Sequence, residues 1–418
     1  MYIKLYELKK VVTSPVIIGL TALFILFNVF TIFNSTYYTS ELKVLNKIVN
    51  KFGYKINDKM MVGFKLYYSD QLKELNKTTS QKTSKTYKSA AKLFSNDFNS
   101  GSIYKKEYLE FFNEVRVIEN YYYIAKDIDV SYKDIDIVEL GEAVIAKYKL
   151  SGSAGETVRK QYSKLSIRFG KLKENGEHKN LFFIGKAYKM HTLLFKSLFG
   201  NFIYEIMILV VLITGYLINY EFENKTQFVV YSTKRGRKLS TDKFYVSIFS
   251  SILVTTIIIS ISLGVYFSVV SYSGLWSVPI SSGFNWEYNV PYISWWDMSF
   301  AKYLFYCIGL VYACEILFTF ITFIIASFIK NSYIVFFTFA IILGIFLIIP
   351  GIIPANSNAI LVAHFTPFVL ILNPFVWFME KGITTFEYYE VITIVVWAAI
   401  LLTLCGLCTR RLKKQNLY

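Results

Sequence analysis

The sequence predicts an all-α membrane protein: six transmembrane helices, an N-terminal interfacial elbow helix and a mainly helical extracellular domain. Three observations carry this. Six apolar stretches have membrane-spanning length, the loops between them alternate in Lys and Arg content, and one long polar segment separates the first two. Of the 418 residues, 54% are hydrophobic, above the usual apolar share of a soluble domain.

A helix needs about 20 mostly apolar residues to cross the hydrocarbon core. Such stretches run over 12–33, 199–218, 245–270, 303–329, 333–353 and 391–408. Lipid offers no partner for a free N–H or C=O, so each must be helical. The formal charge of +16 is informative through its placement. Fourteen cations occupy four short segments: Lys4, Lys9 and Lys10; Lys225, Lys234, Arg235, Arg237, Lys238 and Lys243; Lys330; and Arg410, Arg411, Lys413 and Lys414. The two short loops of the other side hold one each, Lys302 and Lys381. That bias places both termini in the cytoplasm of a multi-pass plasma-membrane protein and calls for no nucleic-acid partner.

Residues 1–34 make the elbow helix and first span. Ile3, Leu5, Leu8, Val11 and Val12 give an approximate apolar face, with Lys4, Lys9 and Lys10 in reach of phosphate headgroups. Pro15 suits the first turn of the span that follows. The apolar run is too long for a cleavable signal and continues without a small-x-small site, so it reads as an uncleaved span.

Residues 35–198 form the extracellular domain, with 29 basic and 18 acidic residues between 35 and 196. Long translocated domains cross regardless of charge. Helical spacing is evident over 41–52 and 104–125. Residues 76–85 read as a polar connection, 143–150 as a strand, 151–156 as a break, and 186–200 as an amphipathic helix along the outer interface. All four cysteines (Cys307, Cys314, Cys405 and Cys408) lie in spans, so the domain needs no disulfide. With the richness in Lys, Asn, Ile and Tyr, this fits a low-GC Gram-positive bacterium.

Residues 199–418 hold spans two to six, with a cytoplasmic loop over 219–244. Glu205 falls near the outer end of its span, where it reaches water, and Glu390 opens the last span without an evident role. Between the last two spans, 354–380 is apolar but broken by Pro367, Asn373 and Pro374, which predicts an outer re-entrant segment rather than a seventh crossing. Trp276, Trp286, Trp295 and Trp296 read as an interfacial belt. Glu315 lies mid-span, where a carboxylate is expensive; it reads as a pathway residue or as a protonated structural one.

Chemistry-bearing motifs are missing. There is no G-x-x-x-x-G-K-[ST] loop, no H-E-x-x-H and only three histidines, and C-G-L-C at 405–408 is inside a span without a second pair. No catalytic residue, metal ligand or cofactor is expected on this chain.

The stretch YELKKVVTSP at 6–15, the six spans, and NYEFENKTQFVVYSTKRGRKLSTDKF at 219–244 resemble the permease subunit of a type-2 ABC transporter. The resemblance implies an elbow helix bearing Glu7, Lys9 and Lys10. It also implies a coupling loop in which Glu221, Glu223, Ser232, Arg235, Arg237, Lys238 and Lys243 meet a separate ATPase chain. That partner would carry ATP and Mg, and a second permease subunit, identical or homologous, would complete the path. The large insertion after the first span departs from the compact members. For the loop cations a second reading stands, simple retention by lipid headgroups under the positive-inside bias. The apolar spans suit export of an amphiphilic substrate: a peptide, an antimicrobial or a lipid. The alternative is a membrane sensor or immunity protein that binds an extracellular peptide without transport.

Overall fold

The computed structural model describes residues 2–35, 39–97, 104–184, 190–233, 236–287 and 290–414. Among them six helices are long and apolar enough to cross a membrane. α1 (Tyr2–Val12) turns at Ser14 into α2 (Pro15–Asn34), with Pro15 in the first turn, where its missing N–H is harmless. Beyond the polar domain, a π-helical turn, Thr192–Leu198, runs into α9 (Phe199–Glu223). α10 (Gln227–Tyr231) lies in the next loop, followed by α11 (Leu239–Val269) and α12 (Phe300–Phe328). Asn331 caps α13 (Ser332–Ile352) by accepting from Ile334 N–H at 3.0 Å. The short helices α14 (Ala359–Ala363) and α15 (Pro367–Leu370) precede α16 (Tyr389–Lys414).

α9 is the central post of the bundle. Of its apolar window 72% is buried, against 17% for α2 and α13 and 22% for α16, which leaves those three helices to face lipid. α2, α11, α12 and α13 pack around α9, and α16 lies on α12. Phe368 of α15 stacks near Phe318 of α12 and packs against Phe339 and Phe346 of α13, so the segment between the last two spans reaches the middle turns of α13.

The polar domain is mainly helical, with an isolated antiparallel bridge between Lys55 and Asn180. α3 (Thr39–Phe52), α4 (Asp58–Thr83) and α5 (Ala90–Asp97) pack on α6 (Lys106–Lys133). Buried Glu119 accepts from Tyr68 Oη at 2.5 Å and from Ala90 and Ala91 N–H at 2.6 and 3.1 Å, which places an anion at the start of α5. α7 (Ile137–Lys147) and α8 (Gly152–Glu174) form a hairpin; a Cβ on Gly141 would lie 2.7 Å from Tyr162 Cβ, so the glycine permits the close crossing.

Three local expectations are corrected. Residues 143–150 are not a strand: Asp136 caps α7 through Val138 and Glu139 N–H, and Ile137, Gly141, Val144 and Ile145 bury one helical face on α8. Residues 76–85 are no bare connection, because α4 continues to Thr83 while Asn76 and Thr79 bond forward to Tyr87 and Lys85. Of the amphipathic segment, 185–189 lies outside the described residues, and the π-helical turn that follows is core rather than interface: Thr192, Leu193, Leu194, Phe195 and Leu198 are all buried.

The domain rests on two interhelical loops at one end of the bundle. Leu181 N–H donates to Tyr54 at 2.7 Å within it, and Gly283 N–H of the α11–α12 loop donates to the His178 carbonyl at 2.9 Å. Arg168 holds Glu177 in a bidentate pair and reaches the Trp295 carbonyl at 3.1 Å. On the other loop, Ser151 N–H donates to Ala355 and Tyr162 Oη to Glu380. Trp295 is therefore buried, not part of an exposed belt; Trp276 remains exposed. α1, α10 and the short α12–α13 turn lie at the opposite end, with the cations Lys225, Lys238, Lys330 and Arg411.

Candidate functional site

At the basic end, four charged side chains from three elements meet, three of them buried and Lys10 half-buried. Glu7 and Lys10 come from α1, Glu221 from the last turn of α9, and Lys243 from the first turns of α11; Glu7, Glu221 and Lys243 are buried. Lys10 Nζ donates to Glu7 Oε1 at 2.7 Å and to Glu221 Oε1 at 3.2 Å. Lys243 Nζ donates to Glu221 Oε2 and to the Leu217 carbonyl, using the second lone pair of a carbonyl inside α9. Lys10 also lies 3.8 Å from the centre of the Tyr220 ring. Burial works against the charge on Lys10, but Glu7 and Glu221 outweigh it and hold its ammonium above the ordinary value. Burial and Glu221 push the Tyr231 phenol up.

This network places the predicted residues unevenly. Glu7, Lys10, Glu221 and Lys243 bond to one another, so Lys10 is spent on carboxylates rather than on headgroups. Glu223 accepts from Ser332 N–H at 2.7 Å and thereby ties α9 to the start of α13. Ser232 is exposed and donates to Val229 O at 2.9 Å, while Lys9 and Lys238 face solvent. Arg235 lies outside the described residues, as does the Arg237 side chain.

The loop beyond the network is itself folded. Thr226 N–H donates to Glu221 O at 2.9 Å and Val230 N–H to Thr226 O at 3.1 Å, which seats α10 on the end of α9. Gly236 returns so close to α10 that an added Cβ would overlap the Val230 carbonyl. α10 then presents Phe228, 62% exposed, and Val229, 76% exposed, away from the bundle. A cleft of about 680 Å³ opens between α1 and this loop, lined by Tyr6, Glu7, Lys10, Glu221, Thr233 and Leu239 among others. The Glu221–Lys243 pair joins the end of α9 to the start of α11, the two spans that flank this loop.

Several polar contacts escape a reading of residue types alone. Glu205 does not reach water: it is buried against α2 and accepts from Asn28 Nδ2 at 2.6 Å. The available signal was Asn28, the sole amide well inside the first apolar stretch. Glu390 is likewise buried, paired with Lys381 at 2.5 Å and accepting from Phe378 N–H at 2.8 Å. Burial pulls the Lys381 ammonium down from its ordinary value against the pull of Glu390. His364 Nδ1 donates locally to the Ile360 carbonyl at 2.7 Å. Glu315 is buried in α12 with both carboxyl oxygens unpartnered among the described residues. No group of His, Cys, Asp and Glu able to hold a metal occurs among the described residues.

Comparison with known proteins leaves the class at the level the fold defines: no family model, no curated protein and no solved structure matches the chain. The chain is a multi-pass, all-α membrane protein with a large helical domain on one end of its bundle.

Proposed function

We propose that this chain is the permease subunit of an ABC exporter and that α10 is the helix that docks a separate ATPase. The observation that carries the reading is the mounting of Phe228 and Val229. Two large apolar side chains stand exposed on a folded loop helix, over a buried ion-pair network that binds the loop's two flanking spans. Apolar side chains within a charged rim match the core-and-rim anatomy of a protein interface. Exposed Lys225 and Lys238, with Arg235 and Arg237 in the same loop, suit a partner groove with an acidic rim. ATP and Mg act on that partner, and this chain contributes no catalytic group. Closure of an ATPase pair would push α10, and the locked ends of α9 and α11 would carry the motion into the bundle. The apolar, lipid-facing surfaces of α2, α13 and α16 offer room for a second permease subunit, and the path between two subunits would pass an amphiphilic peptide, antimicrobial or lipid outward.

The test is to purify the tagged chain from its native membrane in mild detergent and identify what comes with it. A stoichiometric ABC ATPase is expected, lost in Phe228→Ser/Val229→Ser and in Arg235→Glu/Arg237→Glu while membrane insertion persists. A complex without an ATPase overturns the reading. The second reading, a sensor or immunity protein, draws on the direct bonds from the polar domain to both loops beneath it, such as Tyr162 to Glu380. Peptide binding by that domain without ATP-dependent flux would select it.

A further inference from the structure

The hydroxyls inside the spans fall into two groups. Ser251, Thr255, Thr319, Thr322 and Ser327 donate to the carbonyl four residues back, at 2.7 to 2.9 Å, which is how a hydroxyl is satisfied within a helix. Ser247 and Ser250 on α11 and Thr214 on α9 make no such bond. Each is fully buried, and its hydroxyl has no partner among the described residues. Glu315 is the extreme member: 1% exposed in the middle of α12, with neither oxygen bonded among the described residues.

These groups form a track. On α11, Lys243, Ser247, Ser250, Ser251 and Thr255 recur on one buried helical face. Ser251 meets Thr319 hydroxyl to hydroxyl at 2.8 Å, and Glu315 lies one turn from Thr319 on the same face of α12. Thr214 lies two turns before Glu221 on the face of α9 that reaches Lys243. From Lys243 to Thr255 the track covers about 18 Å at 1.5 Å per residue, more than half of a hydrocarbon core about 30 Å thick.

Close helix packing accounts for small side chains at such an interface. It does not account for a carboxyl, which Ala or Leu would replace at lower cost. An unpaired carboxylate is expensive at this depth. No acid or base on the surrounding helices compensates it: Glu205 is turned to Asn28, Lys243 to Glu221 and Glu390 to Lys381, and α13 carries no acidic or basic residue. The neighbouring titratable group is the Cys314 thiol.

We propose that Glu315 binds a proton in the middle of the membrane, and that water held by the hydroxyls of Thr214, Ser247 and Ser250 connects it to the Lys243–Glu221 pair at the basic end. A proton removes the charge, and water satisfies hydroxyls that otherwise have no partner among the described residues. The inference rests on the bundle alone and stands whether or not an ATPase docks at α10.

Infrared spectroscopy of the full chain, in a detergent free of ester carbonyls, tests it. At neutral pH the protein should show the carbonyl stretch of a protonated carboxylic acid, shifting in D₂O and missing from Glu315→Gln but not from Glu205→Gln. Ser247→Ala/Ser250→Ala should keep the band and slow its shift in D₂O about tenfold, the combined weight of two weak hydrogen bonds to water. Should Glu315→Gln not fold, Glu315→Asp must move the band rather than leave it in place. A native band indifferent to residue 315, or exchange in the alanine pair at the native rate, overturns the proposal.

Discussion

Asn28 of α2 donates its side-chain amide to Glu205 of α9 over 2.6 Å, with both residues buried at membrane depth. Asn201 donates to Asn28 Oδ1 at 3.4 Å and extends the contact. Because α2 turns most of its surface outward, this bond is the polar clamp that seats it on the central helix. Asn28→Leu strands the carboxyl and should cost about 1–3 kcal/mol. Glu205→Gln leaves Asn28 an acceptor and should cost less. Thermal unfolding of both variants in one detergent decides the matter, since equal losses would remove the clamp from the account.

The Lys243–Glu221 pair makes the opposite kind of demand, because its charges have no water to retreat to. Lys243→Met leaves Glu221 only Lys10 and should cost about 3–5 kcal/mol, whereas removing both charges in Glu221→Leu/Lys243→Met should recover much of the loss. A double-mutant cycle on unfolding midpoints reads the coupling directly. Additive losses would mean that the two ends of α9 and α11 are not held by this pair.

Such contacts mark the boundary of what the sequence discloses. Span positions are legible because lipid imposes one rule on every residue of a stretch, and Pro15, Asn331 and the basic loops punctuate them. Glu7, Lys10, Glu221 and Lys243 can be named from their types and their end of the chain, but not their mutual bonding, since that depends on where α1 lies across α9 and α11. Glu205 reads as a water-facing group because it falls near a span end, and Glu390 offers no role for the same reason, yet both are buried. The polar domain and the loop over 353–388 cover that end, and burial there is decided by chain segments far away in sequence. Residues 143–150 misled for a local reason: a Val-Ile pair beside Lys-Tyr-Lys alternates like a strand until Asp136 is seen to cap a helix.

Gly283 controls the seat of the domain on the bundle. A Cβ there would approach Ile128 Cδ1 to 2.5 Å and the His178 carbonyl oxygen to 2.9 Å, and the second is backbone that cannot swing aside. Gly283→Ala should therefore cost about 1–3 kcal/mol by overpacking and should break the Gly283 N–H bond to His178. Limited proteolysis of the α11–α12 loop would report the loosened seat. A cleavage pattern identical to that of the native protein would show that the loop accommodates the methyl.

Lys330 gives the basic end a pH dependence of defined sign. It lies in the turn between α12 and α13, donating to Ser327 O at 2.9 Å with its ammonium 4.7 Å from the centre of the Phe222 ring. Burial, then Arg411 and Lys243, bring its pKa down to about 8, against about 10.4 for an unfolded lysine. Between those values the unfolded chain holds a proton that the folded chain has released. Folding stability must then rise with pH across that window, with the penalty fully present below about pH 8 and gone above about pH 10.4. Lys330→Met removes the titrating group, so the difference in unfolding midpoint between variant and native protein should favour the variant at neutral pH. That advantage should shrink as the pH climbs through the window, while groups common to both proteins cancel. A difference that stays constant from neutral to alkaline pH would mean that Lys330 keeps an ordinary ammonium in the folded chain.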